Sequence, residues 1–295
     1  MPTVRRRSAV VYLKAFLFLT PIFISMILFK YIPLFSAFVK SMYEWNGANV
    51  NRFVGMSNFS RLFSDPIFYE AMGNIAWYTG SFALIQITLP LLGALLVHHV
   101  AKRKLQNAYK FMFLLPLVVP SIIIFLLWRW IYMGNGIINT FLESAGLGSW
   151  TQAWLGDSGT ALWAIVFVNF PWVGGISFLI FLAGLVAIPR ELYEAGYIDG
   201  MGVGQRFAYL ELPQLVTQIR LVLLLACINQ FQSFENVLVL TNGGPGYTTL
   251  TPALYLYKRG FEYNELGFAS AIGVVLFLTM LLFTLAVNRS FRRRS

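Results

Sequence analysis

The stretch IAWYTGSFALIQITLPLLGALLV, from Ile75 to Val97, is 23 residues long and carries no charge. At about 1.5 Å per helical residue it is long enough to cross the roughly 30 Å of a bilayer's hydrocarbon core. Lipid offers no hydrogen-bond partner, so a spanning segment must be a helix or a strand of a closed barrel. Barrel strands alternate apolar and polar residues, whereas this stretch is continuously apolar and reads as a helix. Similar runs lie on either side of it: Val10–Phe29, interrupted by Pro21 and ending near Lys30 and Pro33; Phe111–Tyr132, which contains Pro116 and Pro120; Ala161–Val186; Leu215–Leu240; and Phe268–Val287. The expected fold is an all-α membrane protein with six transmembrane helices. Composition agrees, since 58% of the residues are hydrophobic and only 12% are charged, about half the charged share of a soluble domain.

An even number of spans leaves both termini on one side, and the basic residues indicate which. Arg5, Arg6, Arg7 and Lys14 lie at the start, and Lys102, Arg103, Lys104 and Lys110 follow the second run. Arg190, Arg206 and Arg220 follow the fourth, and Arg289, Arg292, Arg293 and Arg294 end the chain. The alternate loops carry fewer basic residues, mixed with Asp65, Glu70, Glu143, Asp157, Glu262 and Glu265. Cytoplasmic loops are enriched in Lys and Arg, so an N-in/C-in topology is expected. Residues 1–9 then form a basic cytoplasmic N-terminus, 10–288 the membrane domain with a cytoplasmic loop at 187–214, and 289–295 a basic cytoplasmic tail.

The net charge of +10 would suggest nucleic acid in a soluble protein. Here topology accounts for it, and no nucleic-acid partner is expected. The first run exceeds the 7–15 apolar residues of a signal peptide and no clear small-x-small site follows it, so its retention as a helix is expected. Cys227 is the only cysteine and lies inside an apolar run, which leaves no intrachain disulfide. His98 and His99 stand at a helix end and form no metal-ligand set.

The loop after the fourth run reads PRELYEAGYIDG over Pro189–Gly200, continues through Met201–Leu210, and ends in Glu211-Leu212-Pro213. A short helix is expected from Glu191 to about Asp199, because acidic residues occupy its first turn and Gly200 and Gly202 close it. Leu192, Ala195 and Ile198 give it a narrow apolar stripe. Ala195 and Gly196 together leave a small patch where another surface could approach the backbone. Such a helix suits docking into a protein groove; Glu194 either meets that partner or caps and solvates the helix.

The spacing E-A-x, three residues, G, nine residues, aliphatic-x-L-P resembles the coupling-loop signature of permeases in binding-protein-dependent ATP-binding-cassette importers. It falls on Glu194, Ala195, Gly196, Gly200, Leu210, Leu212 and Pro213. Gly196 stands where that family most often has alanine, and Leu210 where it often has isoleucine. Three further stretches are similar to the carbohydrate branch, which includes the maltose and multiple-sugar importers. They are Phe53–Phe59 with Asp65-Pro66, Thr241–Thr249, and Tyr193–Gly200. The resemblance covers essentially the whole chain and implies a type I importer transmembrane domain. It also implies a coupling site at Glu194, Ala195, Gly196, Asp199, Gly200, Leu212 and Pro213, seated in a cleft of a cytoplasmic ATPase dimer.

This chain contains no G-x-x-x-x-G-K-[ST] phosphate loop. It is therefore expected to be a transport subunit without an ATPase site and with no cofactor of its own, ATP and Mg being bound by the partner ATPase. A second permease subunit and an extracytoplasmic sugar-binding protein complete the implied assembly, in a bacterial or archaeal cytoplasmic membrane. Two related but different permease chains are more common in the sugar branch than a homodimer, and in some members only one of the two holds substrate.

A sugar path needs amides, hydroxyls and aromatic faces inside the bundle, and polar groups in buried membrane helices usually face an interior or a cavity. Asn169-Phe-Pro-Trp-Val-Gly-Gly175 is one such stretch, where Pro171 and the glycines would loosen the helix. The other is Asn229–Asn236, in which Asn229, Gln232, Ser233 and Asn236 recur on one helical face. These side chains either line a cavity or join helices through hydrogen bonds. Matching to the maltose-type permeases points to Asn169, Trp172, Val173, Ile176, Gln230 and Ser233, and on the third span to Leu117 and Ser121. Glu235, near the Thr241 loop, reads as shallow and external, and Arg129 between Trp128 and Trp130 as an interfacial anchor.

An ion-coupled secondary transporter is the alternative class. Such proteins work through intramembrane carboxylates, histidines or broken helices, and the signature at Glu194–Pro213 has no role in them.

Overall fold

A computed structural model describes residues 3–100, 102–168, 170–172 and 174–292, with side chains from residue 14 to 289 apart from residue 15. Contacts group the chain into two compact units. One comprises residues 3–64 with 256–277, and the other residues 65–255 with 278–292.

The first unit begins with α1 (Thr3–Met26), a π-helical turn at Ile27–Tyr31 and α2 (Ile32–Lys40). Pro21 does not interrupt α1, and helical backbone runs past Lys30 to Lys40. Pro33 sits in the first turn of α2, where a missing N–H is tolerated. In the 25-residue segment Phe16–Lys40 the most apolar stretch has none of its residues buried; Phe18 is 85% exposed. A helix that is apolar all round requires lipid or another protein around it.

A hairpin of β1 (Tyr43–Trp45) and β2 (Asn51–Phe53) follows, pairing Tyr43 with Phe53 and Trp45 with Asn51, and then α3 (Ser57–Phe63). Buried Asn58 ties α3 to the hairpin, its Nδ2 donating to the Ser41 and Tyr43 carbonyls at 2.8 and 2.9 Å. Gly267 passes so close to the hairpin that a Cβ there would lie 1.9 Å from the Tyr43 oxygen. Arg61 grips both oxygens of Glu265 at 3.0 and 3.1 Å.

The second unit opens with α4 (Pro66–His98), which starts earlier than the expected Ile75 because Asp65 caps it, accepting from the Ile67 amide at 2.9 Å, and Pro66 occupies its first turn. The third apolar run is not one helix. It divides into α5 (Arg103–Leu114), a 3₁₀ turn at Leu115–Val118 and α6 (Ser121–Ile131), bent by 89°. Pro116 and Pro120 remove donors there and bias the preceding residues out of the helical region. α7 (Ile137–Ser144) follows, and the fourth run divides into α8 (Ala161–Phe167) and α9 (Ile176–Val186) around an irregular segment. That segment contains a cis Phe170–Pro171 bond and Gly175 at φ +91.

Next come α10 (Arg190–Ile198), α11 (Val203–Arg206), a π turn at Phe207–Glu211, α12 (Leu212–Gln214), α13 (Val216–Gln232), α14 (Glu235–Leu240), α15 (Pro252–Tyr257) and α16 (Leu266–Arg292). The fifth run is also divided, since α13 stops at Gln232 and Ser233 turns extended, at φ −75 and ψ 123. Helices α9 and α13 both pack on α4, around a core that includes Leu91, Val97, Phe178, Phe181, Leu185 and Leu215. Gly184 permits the approach, because a Cβ there would lie 2.6 Å from Leu215 Cδ2. Small residues serve this purpose at membrane helix crossings.

Among the described residues, three helical segments are long and apolar enough to cross a membrane alone: Phe16–Lys40, Pro66–His98 and Leu266–Arg289. The number reaches six if each of three bent helix pairs counts as one span.

Candidate functional site

Helix α10 forms where its sequence signals place it. Pro189 precedes it in extended geometry and Glu191 lies in its first turn. Gly200 closes it at φ +71, the left-handed position that favours glycine. Every residue of α10 except Tyr193 and Gly196 is exposed. The outward face carries Leu192, Ala195 and Ile198, the last 87% exposed, together with Glu191, Glu194 and, just beyond, Asp199.

Glu194 accepts from Arg190 Nε at 3.0 Å, an exposed i,i+4 pair worth only about 0.3–0.5 kcal/mol, so its carboxylate is readily available to a stronger partner. Gly196 does not share the outward patch with Ala195, contrary to the expectation from sequence. It is buried, and a Cβ there would lie 3.3 Å from Met201 Sδ, so smallness at this position serves the loop's own packing. Leu212 packs against the α4–α9–α13 core, and exposed Pro213 lies in the first turn of α12.

Beneath α10 lies a polar cluster absent from the sequence-based set. The carboxylate of Glu211, 1% exposed, accepts from Tyr193 Oη at 3.2 Å and sits 3.1 Å from His99 Nε2. Tyr193 Oη is also 3.4 Å from His98 Nε2. Burial, and then the Glu211 carboxylate, push the Tyr193 phenol up from its ordinary range, so the hydroxyl keeps its proton and donates.

The polar residues expected to line a path are distributed unevenly. Because α13 ends at Gln232, residues Asn229, Gln232, Ser233 and Asn236 do not form one continuous helical face. Asn229 and Gln232 are exposed. Ser233 Oγ donates to Asn236 Oδ1 at 2.9 Å. Buried Asn236 donates to Tyr78 Oη and accepts from the Val237 amide, so its amide is engaged within the protein.

Gln230 differs. It is 5% exposed, and its Oε1 has no hydrogen-bond partner. Thr79 Oγ1, on α4, is likewise buried and unpartnered. Ser121 is exposed at the start of α6. Exposed Glu235 opens α14, and exposed Arg129 lies in the last turn of α6. Asn169 and Val173 lie outside the described residues.

Trp172 is buried at φ +51, a strained backbone for a non-glycine residue of the kind found at functional sites. Its Nε1 donates to the Val168 carbonyl at 2.9 Å, and its ring meets Phe167 and Phe170 edge-on. It borders a cavity of about 380 Å³ whose walls include Phe82, Gln86, Phe113, Leu117 and Gly175. Gln86 is a wall residue that sequence reasoning missed; its Oε1 accepts from Ser177 Oγ at 2.8 Å. The available signal was a lone amide in the charge-free second run, seven residues from Thr79 and so on the same helical face.

This arrangement, an outward short helix held under broken membrane helices, coincides with a family match. The profile described as "Binding-protein-dependent transport system inner membrane component" matches residues 86–295. The chain belongs to this family. The inner-membrane component is 34% identical to the probable ABC transporter permease protein YurN of Bacillus subtilis, over 94% of this chain and 95% of that protein. It is also 34% identical to the arabinooligosaccharides transport system permease protein AraP of the same organism, over 94% of this chain and 89% of that one. Its fold is that of a chain in the crystal structure of a bacterial ABC transporter involved in the import of the acidic polysaccharide alginate, with a TM-score of 0.83, 22% identity, and 98% and 96% of the two chains covered. It is an integral membrane transport subunit, and α10 and the broken fourth span both fall within the matched residues.

Proposed function

We propose that this chain forms one half of the translocation pathway of an ATP-driven carbohydrate importer and receives the power stroke through the 187–214 loop. The observation that carries the reading is α10 itself. It is a short helix whose apolar and acidic face, Leu192, Ala195, Ile198 and Glu194, is exposed among the described residues. A helix of that form fits a groove on another protein, here a cytoplasmic ATPase dimer that binds ATP and Mg. The all-round apolar first span is accounted for by lipid and a second permease subunit. An extracytoplasmic sugar-binding protein delivers the cargo. In this reading the chain crosses a bacterial or archaeal cytoplasmic membrane six times, N-in and C-in, with 10–288 as the membrane domain and 1–9 and 289–295 as cytoplasmic basic ends.

The substrate class rests on relatives named for oligosaccharide transport and on a cavity that offers an aromatic wall beside an amide. Asn169, Trp172, Gln230 and Ser233 are the residues assigned to the path, with Asn229, Gln232, Asn236 and Ser121 flanking it. Tagged and purified from its host membrane, the chain is expected to bring down an ATPase subunit and a second permease. Reconstituted with its capture protein, the complex is expected to take up arabino-oligosaccharides only with ATP present. Uptake by this chain alone, driven by an ion gradient, would instead make it a secondary transporter.

Gln230 supplies a finer test. An unsatisfied buried amide costs about 1–3 kcal/mol, so Gln230→Leu should leave thermal stability unchanged or raised. If the free Oε1 meets sugar hydroxyls, uptake should nevertheless fall about tenfold, the loss of roughly 1.4 kcal/mol. Greater stability with undiminished uptake would make the amide a packing flaw without a transport role.

A further inference from the structure

We infer that Glu211 and Tyr193 are positioning residues that fasten the coupling helix to the end of the second span, so that force applied to α10 is delivered to α4. This rests on the reading of α10 as the docking helix. Within α10 only Tyr193 and Gly196 are not exposed. Gly196 faces Met201 and Leu210, which an added Cβ would meet at 3.3 and 3.8 Å; both belong to the same loop, and Leu210 packs on the α4–α9–α13 core through apolar contact. Tyr193 reaches further. Its ring lies beside His98 and its hydroxyl meets both His98 and Glu211. Glu211 in turn meets His99 at 3.1 Å, and His98 is the last residue of α4.

The geometry of this node is strict for a physical reason. A carboxylate removed from water is tolerated only while its partners stay in place, and Glu211 is 1% exposed. Moving α10 without moving the end of α4 would strip that buried carboxylate of a hydrogen bond. Arg190 borders the same pocket as His98, His99 and Tyr193, and the guanidinium of buried Arg206 lies 4.5 Å over the Tyr197 ring. Helix α4 is the element on which α9 and α13 pack, so displacement of its end reaches the cavity walls at Gln86 and Gly175.

The test uses the full transporter with its ATPase subunits and capture protein in nanodiscs. A cysteine at the cavity wall, Leu117→Cys in a Cys227→Ser background, is labelled with a maleimide with and without ATP and vanadate. Labelling in the parent is expected to change about tenfold, the size of an ordinary coupling energy. In Tyr193→Phe and Glu211→Ala the change should shrink below about twofold while the ATPase subunits still co-purify. Glu211→Gln, which keeps an acceptor for Tyr193, should recover part of it, and Tyr193→Phe combined with Glu211→Gln should be no worse than Tyr193→Phe alone. A full response in Tyr193→Phe and Glu211→Ala overturns the inference, and so does loss of the ATPase subunits from these variants. Gly200→Trp separates the two levels: if it retains the ATPase and the full response, the docking reading itself fails; if it loses them while Tyr193→Phe responds fully, only the present inference fails.

Discussion

Gly200→Trp is expected to release the ATPase subunits from the purified complex and to cut ATP-driven uptake by about 100-fold, a loss of roughly 2.7 kcal/mol and within the range of a central interface residue. Two effects converge at this position and can be separated by size. Gly200 sits at φ +71, where any side chain meets a backbone penalty of about 1–2 kcal/mol, least for asparagine. Its missing Cβ faces open space on its own chain, so bulk there collides only with whatever docks on α10. Gly200→Asn should therefore behave nearly as the parent, and Gly200→Ala should show the backbone penalty alone. Only Gly200→Trp should lose the partner. Equal uptake across the series would remove α10 as the docking helix.

The second large effect is expected at Gly174. A Cβ built there would lie 2.0 Å from the Phe113 carbonyl oxygen and 3.0 Å from its carbon, while the neighbouring Gly175 amide donates to that same oxygen at 3.1 Å. Two broken spans meet here backbone to backbone, and neither can retreat without breaking the bond that joins them. Overpacking in a close-packed interior costs about 1–3 kcal/mol even where flexible side chains can yield, and here the obstacle is main chain. Gly174→Ala should lower the melting temperature in detergent sharply or prevent recovery of monodisperse protein. Gly80→Ala is the control: Gly80 is exposed in the interior of α4 with nothing within 4 Å of the added carbon, and alanine there should be neutral or stabilising by about 0.5–1 kcal/mol. A parental melting temperature for Gly174→Ala would refute the tight contact.

These positions also show which features were legible before the structure. The membrane class followed from the length of uncharged runs such as Ile75–Val97, and α10 followed from Pro189, Glu191 and Gly200, because caps and glycine stops act over a few residues. The divisions of the third, fourth and fifth runs were only partly visible. Pro116, Pro120 and Pro171 marked two of them, but nothing in Gln232-Ser233 requires a helix to stop, and the one-face pattern of Asn229–Asn236 was drawn across a break. The inward turn of Gly196 was likewise hidden, since a glycine reads the same whether its missing side chain faces a partner or Met201.

Local physical chemistry in the chain determined that this is a helical membrane protein with a short helix at Arg190–Ile198, because hydrophobic length and capping are properties of adjacent residues. Only the tertiary structure decided which polar groups meet. Gln86 and Ser177 are 91 positions apart, and His98 and Tyr193 are 95 apart. Such pairs carry no periodicity and no motif; the packing of α9 and α13 on α4 brings them within bonding distance, and burial then makes each bond costly to break.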